Sequence, residues 1–286
     1  MAIIETRADE SKPPQQLGTP GRSHARSWQR STALWRLILL AVLLAGWQLS
    51  SGRLVDDIFI SRPTDIAARL WELFATGEIW PHLWKTYTAV GIGYVGAAVV
   101  GIFLGVVLGR SAFLASVLEP FIMAIYSVPK VALAPLFILW LGIGISAKIA
   151  IAFISAFFLV FFNTFAGLRS VNEEHVSLAR VMGASRLDVN RLVVVPSTMP
   201  YIFVGLKTAL PFAVIGAVVG EFMASNEGLG FYILLSGNTL DSAGLFAGLI
   251  ILVAGVAIAN AVLRLLERRV IRWHPSQLAQ SSRTVL

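Results

Sequence analysis

The chain has 286 residues, 56% of them hydrophobic and only 14% charged, with a formal net charge of +7 and no cysteine. An ordinary soluble domain carries about 25% charged residues, so this composition excludes one and points to a polytopic membrane protein. The absence of cysteine excludes disulfides, thiolate chemistry and thiolate-held metals.

Residues 1–32 are polar and rich in Ser, Pro, Gln and Arg, which predicts a disordered cytoplasmic tail. The membrane domain is expected over 33–270, with a second cytoplasmic tail over 271–286. The first apolar run, 34–49, follows Arg22, Arg26, Arg30 and Arg36. It reads as a span and not as a signal peptide, because the preceding tail is long and no small-x-small cleavage site follows. A loop over 51–85 comes next. Its stretch PTDIAARLWELF, from Pro63, is amphipathic and is expected to lie along the outer membrane surface.

Five more apolar runs follow, at 86–109, 112–141, 144–168, 198–222 and 243–266. A helix needs about 20 apolar residues to cross the hydrocarbon core, so the expectation is an all-α bundle of about six spans. The third is broken by Pro120, Pro129 and Pro135. Small residues recur at every fourth position in the second span (Ala89, Gly93, Ala97, Gly101, Gly105, Gly109) and the fifth (Gly205, Ala209, Ala213, Ala217). Such ridges let helix backbones approach closely, and ordinary packing within the bundle accounts for them without a dimer seam.

Six spans place both termini on one side. With the termini inside, the inner basic residues are Arg7, Lys12, Arg22, Arg26, Arg30, Arg36, Arg110, Arg169, Arg180, Arg186, Arg191, Arg264, Arg268, Arg269, Arg272 and Arg283. The outer ones are Arg53, Arg62, Arg69, Lys85 and Lys148, while Lys130 and Lys207 fall within spans. The positive-inside rule therefore puts both termini, and the polar island 172–196, in the cytoplasm.

That island, NEEHVSLARVMGASRLDVNRLVVVP, carries its own helix signals. Asn172 can cap a first helix whose opening turn holds Glu173 and Glu174 against the positive helix end. The helix should run to about Met182, where Gly183 breaks it. Ser185 and Asp188 form a capping box for a second helix to about Val193, and Pro196 opens the fifth span. Two independent caps predict a rigid helix-turn-helix bracket over about 172–193, where a mere connecting loop would need none.

The spacing of this island resembles the EAA loop of ABC-importer permeases. Ala179, Arg180, Gly183, Ala184 and Ser185 match its proximal part, and Val193, Val195 and Pro196 its distal hydrophobic-x-hydrophobic-Pro. Residues 127–144 (SVPKVALAPLFILWLGIG) and 220–230 (GEFMASNEGLG) resemble the nitrate/sulfonate/taurine branch of the same family. The resemblance spans about residues 60–275. It implies a type I, MetI-like permease fold, in which the bracket is a coupling helix seated in a cleft of a cytoplasmic ATPase. Residues 174–191 would form that contact, through Glu174, Ser177, Ala179, Arg180, Gly183, Ala184 and Ser185, with Glu173 beside them. Ser177 stands where the family pattern has glutamate, and Glu173 or Glu174 would supply the acid from one turn earlier. The resemblance further implies a homodimer, two ATPase subunits that use ATP and Mg, an external solute-binding protein, and an inner-membrane location.

The chain itself carries no phosphate-binding GxxxxGK[ST] loop and no HExxH helix, and His24, His82, His175 and His274 are scattered. No catalytic residue, resident cofactor or metal is expected. The ionisable residues in or near spans, Glu119, Lys130, Lys207 and Glu221, are candidates for the translocation pathway. Lys130 follows Pro129 in the broken span and would suit an anion such as a sulfonate, taurine or nitrate. Pairing of Lys130 with Glu119 or Glu221, and snorkelling of Lys207, are the bland readings. A thiamine-type pyrimidine precursor is an alternative substrate. An ion-coupled secondary transporter using Glu119, Lys130 and Glu221 is an alternative class, which would leave the bracket without a use, and an intramembrane enzyme is a third.

Overall fold

A computed structural model describes residues 22–271 apart from 54, 55 and 58, with side chains from residue 34 onward. The expected tails over 1–32 and 271–286 lie outside the described residues up to residue 21 and from residue 272. The chain divides at Ser50 into two compact units. The first holds helix α1 (Arg22–Ser50), which includes the apolar stretch Leu34–Ser50 where the first span is expected.

The second unit is all-helical. Its elements are α2 (Pro63–Thr76), α3 (Ile79–Arg110), α4 (Ala112–Ser127), α5 (Ala134–Leu141), α6 (Ile145–Arg169), α7 (Glu173–Val181), α8 (Arg186–Val189), α9 (Val195–Met223), α10 (Leu229–Asn238) and α11 (Ser242–Val270). Four segments are long and apolar enough to cross a membrane: Ile79–Arg110, Ile145–Arg169, Arg186–Met223 and Ser242–Val270. The third expected span is a bent pair, Ala112–Ser127 and Lys130–Leu141, at 80°. Pro129 causes the bend. It forces Val128 into extended backbone (φ −68°, ψ 127°), and a single 3-10 turn, Lys130–Leu133, restarts the chain before α5.

Helix α6 is the centre of the unit, packed between α3 and α9. The small-residue ridges explain why. A Cβ on Gly93 would lie 2.7 Å from the Ile149 carbonyl, and on Gly105 2.8 Å from Thr164. On the other side a Cβ on Gly205 would meet Asn163 at 2.8 Å, and on Gly216 the Ile151 carbonyl at 2.7 Å. Both ridges therefore face one helix inside the same chain, as ordinary bundle packing requires. Gly93→Leu should cost at least about 1–3 kcal/mol, because the obstruction is backbone and cannot rotate away. Gly91→Leu on the same helix, where a Cβ meets nothing within 4 Å, is the control. Thermal unfolding of the two variants in detergent checks the difference.

The bracket differs from expectation in one respect. Its second helix is not separate from the fifth span. α8 continues through a π-turn, Asn190–Val194, straight into α9, giving one apolar helix over Arg186–Met223. Pro196 is tolerated there because it falls at the start of α9, just past the wide turn. The second half of the bracket and α9 therefore share one continuous helical backbone.

Candidate functional site

The bracket forms as its local chemistry dictates. The Glu174 N–H donates to Asn172 Oδ1 at 2.7 Å, closing the start of α7. The turn is made by Gly183 at φ +86°, with its N–H on the Arg180 carbonyl at 2.9 Å and the Ala184 N–H on the Ala179 carbonyl at 3.0 Å. The capping box is complete. The Asp188 N–H donates to Ser185 Oγ at 3.2 Å, and the Ser185 N–H to Asp188 Oδ2 at 3.0 Å. Arg110, at the end of α3, reaches Asn190 at 3.4 Å and ties the bracket to the bundle.

Ser185's hydrogen bonds hold the Asp188 carboxyl below its ordinary value of 3.8. A carboxyl lowered by folding contributes above its unfolded pKa, and the contribution is lost as pH falls through the folded value. The Ser185 amide should therefore lose hydrogen-exchange protection only as the pH falls through that lowered value, below 3.8, after correction for the intrinsic rate. The Glu174 amide, capped by the neutral Asn172, should keep it.

The bracket presents an apolar surface that nothing among the described residues covers. Val181 and Met182 are 85% and 79% exposed, and Leu178, Leu187 and Leu192 are exposed with them. Glu173, Glu174, Ser177, Arg180 and Arg186 are exposed around them, whereas Ala179 and Ala184 are partly covered. Apolar side chains held in water on a rigid, doubly capped frame mark an interaction surface.

A second cluster lies at the opposite end of the bundle, where α9 ends and α6 begins. Glu221 is 0% exposed. Its carboxylate accepts from Thr86 Oγ1 of α3 at 2.8 Å and from the Gly230 N–H at 2.7 Å. Thr86 Oγ1 accepts in turn from the Leu229 N–H at 2.7 Å, so Glu221 and Thr86 together cap the first turn of α10. This gives GEFMASNEGLG its physical reason. A Cβ on Gly228, which sits at φ +120°, would lie 2.2 Å from Glu221 Oε1, and one on Gly230 2.9 Å from Glu221 Oε2. Only glycines let the backbone wrap a carboxylate this closely.

Neighbouring groups hold the same loop. The Gly228 N–H donates to His82 Nδ1 at 3.1 Å, and the His82 ring stacks on Phe231. Lys148 donates to Ser225 Oγ at 2.6 Å and to the Glu227 carbonyl at 3.3 Å. Lys85 pairs with Glu227 at 3.0 Å and holds that carboxyl below its usual range by its hydrogen bond. Thr86, His82, Lys85 and Lys148 were not predicted as site residues. Their pairing with the loop spans more than seventy positions and leaves no periodic trace in the sequence.

The four pathway candidates are not brought together. Glu221 lies in the cluster just described. Lys207 donates to both carboxylate oxygens of Glu267 at 2.9 Å, joining α9 to α11. Lys130 does not pair with Glu119 or Glu221. It bonds the Tyr126 carbonyl, with its ammonium 3.9 Å from the Tyr126 ring centroid and 5.4 Å from that of Phe158. Glu119 is exposed and lines a cavity of about 100 Å³ with Leu108, Ile122, Met123 and Phe161. Among the described residues no cluster of His, Cys, Asp or Glu could hold a metal ion.

Comparison with known proteins agrees with this architecture. The family described as "Binding-protein-dependent transport system inner membrane component" matches residues 97–272. The "Formylaminopyrimidine transport permease protein ThiX" of Halalkalibacterium halodurans is 32% identical over 88% of this chain and 99% of its own. The "Putative aliphatic sulfonates transport permease protein SsuC" of Bacillus subtilis is 32% identical over 90% of this chain and 91% of its own. Among solved structures, an inward-facing MetNI methionine ABC transporter chain superposes with a TM-score of 0.57 at 19% identity, over 68% of this chain and 97% of that one, a likeness of fold. The chain belongs to the binding-protein-dependent inner-membrane component family, the permease subunits of ABC importers.

Proposed function

We propose that the chain forms the translocation pathway of an ATP-driven importer of a small anion, an aliphatic sulfonate, taurine or nitrate, and takes its drive from a separate ATPase through the bracket. The observation that carries this reading is the exposed row Leu178, Val181, Met182, Leu187 and Leu192 on a frame continuous with α9. Covering such side chains is worth about 1.5–3 kcal/mol each, enough to seat the bracket in a protein cleft. Glu173, Glu174, Ser177, Ala179, Arg180, Gly183, Ala184, Ser185 and Pro196 belong to this contact or to the frame that holds it. The chain binds no cofactor of its own, and ATP and Mg are used by the partner.

One copy supplies one bracket and half of a pathway, so the working unit is a homodimer with two cytoplasmic ATPase subunits and an external binding protein. It sits in the bacterial inner membrane with both termini cytoplasmic, as the basic residues favour. Lys130, at the 80° break, and Glu119, further back on α4, line the pathway. Lys130 has aromatic faces and a carbonyl around it and, among the described residues, no carboxylate in ion-pair range, which suits an arriving anion. Lys207 and Glu221 act as ties between helices. An ion-coupled carrier is set aside, since Glu119, Lys130 and Glu221 make no ion pair with one another and form no relay.

A pyrimidine precursor is the second reading, favoured by the near-complete coverage of the relative named for formylaminopyrimidine. Uptake of labelled taurine, methanesulfonate, nitrate and formylaminopyrimidine in cells with and without the chain separates the two. Loss of uptake for one of the anions alone is expected. Loss for the pyrimidine alone would replace the anion reading.

A further inference from the structure

At the end of the bundle away from the bracket, a cavity of about 280 Å³ opens between the start of α6 and the loop after α9. Its polar lining is Lys85, Lys148, Ser225, Asn226 and Glu227, and Ile143 and Ile145 line it as well. Dedicated pockets for drug-sized ligands run from about 300 to 1,000 Å³, so this one suits a small headgroup with a few waters of about 30 Å³ each.

Lys148 is the unusual member. It is 7% exposed, yet both its hydrogen-bond acceptors are neutral oxygens, Ser225 Oγ and the Glu227 carbonyl. An ammonium has three N–H donors, so one is left for the cavity. Among the described residues no carboxylate lies in ion-pair range of Lys148, and Glu221 and Glu227 act on it only from beyond contact. The Glu227 carboxylate is taken by Lys85, and that of Glu221 spends its hydrogen bonds on Thr86 and Gly230. A charge this deeply buried calls for a contacting counter-charge, and the open side of the cavity is where one can enter.

We propose that this cavity is a receiving site for a small oxyanion, a sulfonate headgroup or nitrate, held by Lys148 with Ser225 and Lys85 beside it. The proposal rests on the anion reading above and adds where the anion first meets the permease. The positive-inside arrangement puts this end outside the cell, where a binding protein releases its solute. Lys148 stands on α6, the helix that runs to Arg169 at the edge of the bracket. An anion here therefore touches the element that both ridges clasp.

The chain has no cysteine, so a single thiol introduced by Asn226→Cys reports on the cavity without background. Asn226 is exposed on its wall and makes no contact used elsewhere. The full-length variant in lipid nanodiscs is alkylated with a small maleimide, in methanesulfonate or nitrate against gluconate at constant ionic strength. At about four times the Kd, alkylation should slow about fivefold by mass action. Lys148→Gln should abolish this protection, Lys85→Gln weaken it, and Lys148→Arg retain most of it. Absence of protection in the parent, or equal protection with Lys148→Gln, overturns the site. Cells that still import a sulfonate through the chain would then leave the anion reading standing. Protection by formylaminopyrimidine and by neither anion would overturn both.

Discussion

Leu178→Asp and Met182→Asp should each reduce ATP-driven uptake about thirtyfold or more while leaving the chain folded and inserted. Both side chains are mostly exposed on the bracket, so replacement leaves no buried cavity. A central apolar contact removed from an interface costs about 2 kcal/mol or more, which is roughly thirtyfold in affinity. Gly183→Pro acts differently. It replaces φ +86° by the fixed negative φ of proline and removes the N–H that bonds the Arg180 carbonyl. The turn then opens and the two bracket helices lose their register, so ATP hydrolysis proceeds without uptake. Co-purification of the ATPase with each variant, beside hydrolysis and uptake rates, separates lost docking from lost coupling. Wild-type uptake in all three variants would refute the coupling role.

Glu221→Ala should have the largest effect on stability. It leaves the Gly230 N–H and the Thr86 hydroxyl buried without their acceptor, at about 1–3 kcal/mol apiece, and adds a cavity. Glu221→Gln should be milder. Its carbonyl oxygen can still accept from Gly230, and its amide can donate to Thr86 Oγ1. Gly228→Ala should rival the alanine variant at 221, because a methyl at φ +120° would overlap the carboxylate. Protease cleavage within residues 224–229, together with unfolding in detergent, checks the order. Equal stability of Glu221→Ala and the parent would show that the carboxylate does not hold the loop.

Much of this architecture is legible in the sequence because its causes are local. Asn172, Gly183, Ser185 and Asp188 act within four residues of themselves, so the bracket's caps and turn follow from reading in order. The glycine ridges are periodic and sit where expected, although the sequence does not say which helix they face. What escapes reading is polar pairing between distant helices. Glu221 meets Thr86 across 135 positions, and Lys207 meets Glu267 across 60. A buried carboxylate tied by a hydroxyl looks, in sequence, the same as one lining a pathway. The union of α8 with α9 escapes for another reason. Pro196 reads as the start of a new helix, while a π-turn just before it lets the old one continue.

On the proposed function, this chain should move its solute only when a separate ATPase closes on the bracket. The direct test is uptake into proteoliposomes holding the chain with its co-purified ATPase and binding protein, comparing ATP, a non-hydrolysable analogue and imposed proton or sodium gradients. Uptake that requires hydrolysable ATP, and that Met182→Asp removes without unfolding the chain, is the predicted result. Uptake by the chain alone under an ion gradient, unaffected by Met182→Asp, would contradict it.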